Sequence, residues 1–166
     1  MNTCRRICLT AAISALAAML AGCHQIDNHR LPVAYVNLQF WTVADWDIWG
    51  VTGAGQHRRF IIQELVPSGF PYPASASTGM GGILLCSTYI GEPVAYDLAC
   101  PVECRANVRV FINEDSEAEC PVCHSRYDVF EKLGHPISGP ALDDGYGLQV
   151  YRVGPGAQGE YMIVSK

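Results

Sequence analysis

The 166-residue chain is short of charge. Lys, Arg, Asp and Glu make up 16% of it, and eleven basic residues face sixteen acidic ones, a net charge of −5. Nowhere do basic residues gather into a stripe, which argues against a nucleic-acid partner and against an electrostatic hold on anionic lipid. After residue 22 no apolar run approaches the length needed to span a bilayer. There is no internal repeat, no low-complexity tract and no convincing helical period beyond those first residues, so strands must build the fold. A phosphate-binding loop, a Ser/His/Asp arrangement and a paired-carboxylate site are all missing, and the chain is read as a non-enzyme. Tyr96, Asp97, Asp143 and Asp144 could line a cleft, but nothing in the sequence raises them above core aromatics and surface acids.

What is present begins with an export signal. Arg5 and Arg6 precede an apolar run from Ile7 to Leu20, and Leu20-Ala21-Gly22-Cys23 follows. That pattern is a secretory leader with a small-residue cleavage site, too short for a stable membrane span. The Leu-Ala-Gly-Cys ending resembles the bacterial lipobox, which implies cleavage before Cys23 and lipid on that cysteine. Residues 1–22 are then signal peptide, 23–32 a lipid-anchored tether ending at Pro32, and 33–166 the folded domain. Loss of Arg5 and Arg6 leaves nine basic residues against sixteen acidic ones, net −7. The expected location is the bacterial cell envelope, anchored by acyl chains on Cys23, at the outer membrane. The Arg-Arg pair also admits a twin-arginine reading, which a plain basic n-region explains more simply.

Along the domain, short candidate strands alternate with Gly/Pro turns, the signature of an all-β sandwich or barrel. VAYVNLQF (33–40), with Val33, Tyr35 and Leu38 on one side, RRFIIQEL (58–65), ILLCSTYI (83–90), VAYDLAC (94–100), NVRVFI (107–112), GLQVYRV (147–153) and EYMIVSK (160–166) are the candidates. Residues 66–82, with three prolines and four glycines, read as a long ordered loop. Cys86, inside ILLCSTYI, reads as a buried core thiol. Trp41, Trp46 and Trp49 read as core and rim aromatics.

The chemistry is concentrated in residues 100–141. Cys100-Pro101-Val102-Glu103-Cys104 and Cys120-Pro121-Val122-Cys123 each open on Cys-Pro-Val, with a candidate strand and a polar turn between them. Both spacings fall within the roughly two to four residues that structural metal sites place between paired ligands. Two such knuckles joined by a hairpin direct four sulfurs, of Cys100, Cys104, Cys120 and Cys123, toward one centre. Tetrahedral thiolates suit zinc or an iron–sulfur cluster. Two further readings compete. Exported cysteines commonly pair as disulfides, and four allow three connectivities. Cys120-Pro121-Val122-Cys123-His124 also spells the c-type haem attachment motif, with His124 as axial ligand, although Pro121 and the following residues look like turn and strand rather than a helix start.

The same segment resembles the cluster-binding part of Rieske iron–sulfur domains. Cys120-Pro121, Ser125, Tyr127-Asp128 and Gly139-Pro140-Ala141 match that pattern over about sixty residues. The resemblance implies a Rieske-like fold, a base of strands from both termini carrying a metal subdomain at residues 96–141. It also implies that Ser125 and Tyr127 donate hydrogen bonds to the metal-bound sulfurs. The two ligand histidines of the family fall at Val102 and Cys123, so imidazole ligation and the potential it sets do not carry over. The expectation is one zinc ion in a four-cysteine site of a binding or scaffold module with a protein partner. The alternative is a 2Fe–2S electron-transfer protein, followed by the disulfide-stapled and haem readings.

Overall fold

A computed structural model describes residues 25–155 and 161–164. The expected signal at 1–22 and the expected lipid site Cys23 lie outside the described residues. No described helix is long and apolar enough to cross a membrane.

The described chain is mostly β, with two short helices. The strands are β1 (Val36–Phe40), β2 (His57–Phe60), β3 (Ser77–Thr78), β4 (Ile83–Ser87), β5 (Pro93–Asp97), β6 (Phe111–Ile112), β7 (Ala118–Glu119), β8 (Arg126–Asp128), β9 (His135–Ser138), β10 (Val150–Pro155) and β11 (Tyr161–Val164). Seven of them form a base sheet in the order β2-β4-β5-β10-β11-β1-β3, and β6-β7-β8-β9 form a smaller second sheet. Every strand pair is antiparallel. Strands from the two ends of the domain, β1 and β11, lie side by side with Leu38 opposite Ile163.

Two cores flank the centre of the base, and the period of two along β4 and β5 divides residues between them. Ile83, Leu85 and Ala95 face an aromatic core with Phe40, Trp46, Phe60 and Phe70. Phe40 meets the other three rings edge to face at 5.0–5.6 Å between centroids, the arrangement ring quadrupoles favour. Leu84, Cys86, Tyr96 and Leu98 face the opposite way, onto Val108, Val110, Ala118, Tyr127, Val129 and Phe130 of the smaller unit. A strand covered on both sides has no polar face, which is why Ile83–Ser87 is fully buried and reads as a continuous apolar run. Cys86 lies in this core as a free thiol, and burial pushes its pKa up.

The structure departs from the sequence reading in several places. Helix α1 (Val43–Trp49) occupies a stretch that showed no helical period; Thr42 Oγ1 accepts from the Asp45 amide at 3.0 Å, and Asp45 returns the bond to the Thr42 amide. That reciprocal capping box starts the helix, and only Trp46 of its seven residues is buried. The second helix, α2 (Pro140–Asp144), begins with proline at a first-turn position, where the missing amide costs nothing. Strand β1 begins only at Val36, so Val33 and Tyr35 are exposed while Leu38 is buried. Residues 58–65 are strand only to Phe60, followed by a 3₁₀ turn at Ile62–Glu64.

Candidate metal centre

Strand β5 delivers the first knuckle. Asp97 lies at its end, wholly buried, and its carboxylate fixes the chain on both sides. One oxygen accepts the Gly81 and Ala99 amides at 2.8 and 2.7 Å. The other accepts the Met80 amide at 2.8 Å and the Tyr151 hydroxyl. Burial pushes the Asp97 carboxyl up, and these four donors oppose that push. Sequence reasoning left Asp97 among candidate cleft residues; it is instead the clamp that holds residues 80–81 against the approach to Cys100.

The two knuckles share one backbone design. The Cys104 amide donates to the Cys100 carbonyl at 2.9 Å, and the His124 amide donates to the Cys120 carbonyl at 3.1 Å. Cys104 and His124 both hold positive φ, 50° and 55°. Within each loop the amides two and three residues on point at the first sulfur: Val102 and Glu103 at Cys100, Val122 and Cys123 at Cys120. Between the knuckles Asn113 makes the polar turn, its side-chain oxygen accepting from the Asp115 and Glu117 amides. Only Phe111–Ile112 of the expected strand at 107–112 forms a ladder; upstream, Arg109 bridges Ala99.

Of the four cysteines expected to converge, the structure brings together three. The Sγ atoms of Cys100, Cys120 and Cys123 all lie within 4.8 Å of one another, and Cys100 and Cys123 are 3.6 Å apart. A tetrahedral ion with metal–sulfur distances of about 2.3 Å places its sulfurs about 3.8 Å from each other. The group therefore fits a single ion with little movement. Cys104 stands outside it, with its Sγ 3.0 Å from the Pro101 carbonyl oxygen. All five described cysteines are free thiols.

Two hydroxyls singled out from the sequence lie against these sulfurs. Ser125 Oγ is 3.2 Å from Cys123 Sγ and accepts the Ala141 amide at 3.0 Å. A hydroxyl that accepts once still has its own proton to give, so Ser125 links the sulfur to the covering loop. Tyr127 Oη is 3.7 Å from Cys100 Sγ. Gly139 makes the closeness of that loop possible. Its φ is +77°, and a Cβ there would fall 2.9 Å from Ser125 Cα.

Charge is distributed unevenly over the three thiols. Burial pushes Cys100 up to about 12 and raises Cys120 as well. Burial works against the Cys123 thiolate too, but hydrogen bonds from the Ser125 side chain and amide, together with those from Cys120 and Cys100, outweigh it and bring Cys123 below the ordinary thiol value. A divalent ion would hold all three as thiolates.

The haem motif does not sit at a helix start. Residues 120–123 form a turn leading into β8, and the His124 side chain is 74% exposed with Nδ1 3.6 Å from Glu119. Comparison with protein-family profiles, curated proteins and solved structures returns no match to this chain.

Proposed function

We propose that the chain is an exported lipoprotein whose Rieske-like β domain holds one structural zinc ion and serves as a binding or scaffold module. The observation carrying this reading is the convergence of Cys100, Cys120 and Cys123 within 4.8 Å. Three sulfurs so close surround one point, whereas a two-iron cluster asks for ligands in pairs, one pair per iron. Zinc, when bound, supplies a redox-silent crosslink. The chain's own residues do the rest: the knuckle amides stabilise the thiolates, Ser125 and Tyr127 orient them, and Asp97 fixes the strand that presents Cys100.

The crosslink has a structural purpose. Strands β6 and β7 are two residues each, too short to hold the knuckles by pairing alone, and small units with little core rely on such staples. The Rieske likeness is supported by two knuckles on a small sheet set on a larger one, under a Gly-Pro-Ala loop. The envelope location and the lipid rest on the Leu20-Ala21-Gly22-Cys23 tetrad.

A 2Fe–2S electron carrier is the second reading, favoured by the hydroxyls of Ser125 and Tyr127 beside the sulfurs. Elemental analysis with a visible spectrum, on protein purified without added metal from the exported location, separates the two. Near-stoichiometric zinc in a colourless sample, lost in Cys120→Ser, supports the structural site. Iron with sulfide and visible bands replaces it with electron transfer, and a metal-free exported protein refutes both.

A further inference from the structure

We infer that a metal at this centre keeps one coordination position for a ligand from outside the chain, a small neutral nitrogen or oxygen donor. The inference rests on the metal-site reading above and concerns what completes the site. The equivalence of the two knuckles carries it.

Counted from the first cysteine of each knuckle, Cys100 corresponds to Cys120, Val102 to Val122, Glu103 to Cys123 and Cys104 to His124. The amide-to-carbonyl bonds and the positive φ angles of Cys104 and His124 agree in both loops. The fourth residue is therefore the ligand position of this design, and the fifth is not. In the second knuckle the fifth residue, His124, extends to solvent beside Glu119. In the first knuckle Cys104 obeys the same geometry and turns its sulfur to the Pro101 carbonyl. The ligand position of the first knuckle belongs to Glu103, whose carboxylate is engaged by Arg105 at 2.7 Å. The first knuckle thus contributes one sulfur and the second contributes two. Among the described residues no fourth Cys, His, Asp or Glu joins the group.

Access and charge define what completes it. Cys100 and Cys120 are fully buried, but Cys123 is only partly so, and its neighbours Val122 and His124 are exposed, 49% for Val122. A small molecule can reach the centre from that side. A divalent ion held by three thiolates is already a net monoanion, and Glu119 stands beside the same knuckle. A further anion would add like charge in a half-buried site. A neutral donor adds none. Three sulfurs drawn from both knuckles still crosslink the unit, so the ion can staple the fold while its fourth position stays open to exchange.

The test uses the full chain in detergent, with Cys4, Cys8 and Cys23 changed to serine so that only the domain's thiols remain, loaded with Co²⁺ in place of zinc. Thiolate-to-cobalt charge-transfer absorption counts the sulfurs, and the ligand-field bands report the remaining donor. The expected result is a charge-transfer intensity unchanged in Cys104→Ser and ligand-field bands that shift saturably with added imidazole. Glu103→Cys, which places a sulfur at the ligand position, should raise the charge-transfer intensity by about one-third and remove the imidazole response. Loss of about one-quarter of the intensity in Cys104→Ser would show Cys104 to be the fourth ligand and overturn the inference. So would bands indifferent to imidazole in the parent, or a Glu103→Cys protein indistinguishable from it. Absence of any charge-transfer band in the parent would instead overturn the metal centre itself, and the open position with it.

Discussion

Replacing Asp97 with asparagine exchanges one carboxylate oxygen for an amide NH₂ and leaves the shape intact, so its cost isolates the hydrogen-bond arithmetic. The carboxylate is fully buried and accepts from four donors, two at each oxygen. An asparagine must turn its amide nitrogen toward one pair. Facing Gly81 and Ala99, the NH₂ would meet two backbone amides that cannot reverse. Facing Met80 and Tyr151, it would meet one such amide and a hydroxyl free to rotate and accept, so this orientation is preferred. One backbone N–H is then left without a partner, at about 1–3 kcal/mol, and the surviving bonds lose their charge assistance, about 1 kcal/mol more. Relief from burying a charge recovers part of that, since burial already disfavours the ionised carboxyl. The net expectation is a loss of about 2–3 kcal/mol, read as a lower urea midpoint with unchanged slope in tryptophan fluorescence. Tyr151→Phe should cost about 1 kcal/mol, because three donors remain on the carboxylate. A loss below about 0.5 kcal/mol in Asp97→Asn, or one no larger than that of Tyr151→Phe, would refute the clamp.

Gly81→Ala should destabilise the domain by about 1–3 kcal/mol in thermal melts, because the new Cβ would lie 2.4 Å from the Ala99 amide nitrogen and backbone must move; an unchanged melt would contradict the packing described. Zinc affinity should rise with pH. Cys100 and Cys120 are raised above the ordinary thiol value, so both are protonated near neutrality and binding releases at least two protons; competition with a chromophoric chelator should show at least about 100-fold tighter binding per pH unit, and a flat profile would exclude these thiols as ligands. Ser125→Ala removes the hydroxyl shared by Cys123 and the Ala141 amide. It should cost about 1–3 kcal/mol, weaken zinc binding about tenfold, and slow alkylation of Cys123 at neutral pH in the metal-free protein, and alkylation at the parent rate would remove Ser125 from its assigned role.

What the sequence made legible follows from local physics. Leu84 and Cys86 alternate with Ile83 and Leu85 onto two buried faces, and the resulting apolar run announces β4 without ambiguity. The Cys-Pro-Val repeats announced two knuckles because proline and the spacing act within five residues. Helix α1 was hidden because a single buried residue, Trp46, leaves no period to detect; the Thr42–Asp45 cap was the one available signal. Cys104 was counted as a ligand because spacing records distance along the chain and not the sign of φ. Asp97 was illegible for a different reason. Two of its four donors come from a loop sixteen or seventeen residues upstream and a third from Tyr151, 54 residues downstream, and neither separation leaves a local pattern.

The smaller sheet and both knuckles are a detour out of the base. The Asp97 amide donates to the Gln149 carbonyl at 2.9 Å, and Tyr96 stands opposite Val150. The chain therefore leaves the base and returns to it at adjacent points, after an excursion of some fifty residues. Topologically the centre is a pendant loop whose neck is already stitched shut. The segment ahead of β1 is tied to the end of that loop, where Asp27 bridges Tyr146 and exchanges backbone hydrogen bonds with Gly145 and Gly147 at 2.8 and 3.0 Å, before the chain enters β1 between β11 and β3. A two-residue turn across the neck would suffice to close the base if the pendant were excised or moved to another scaffold.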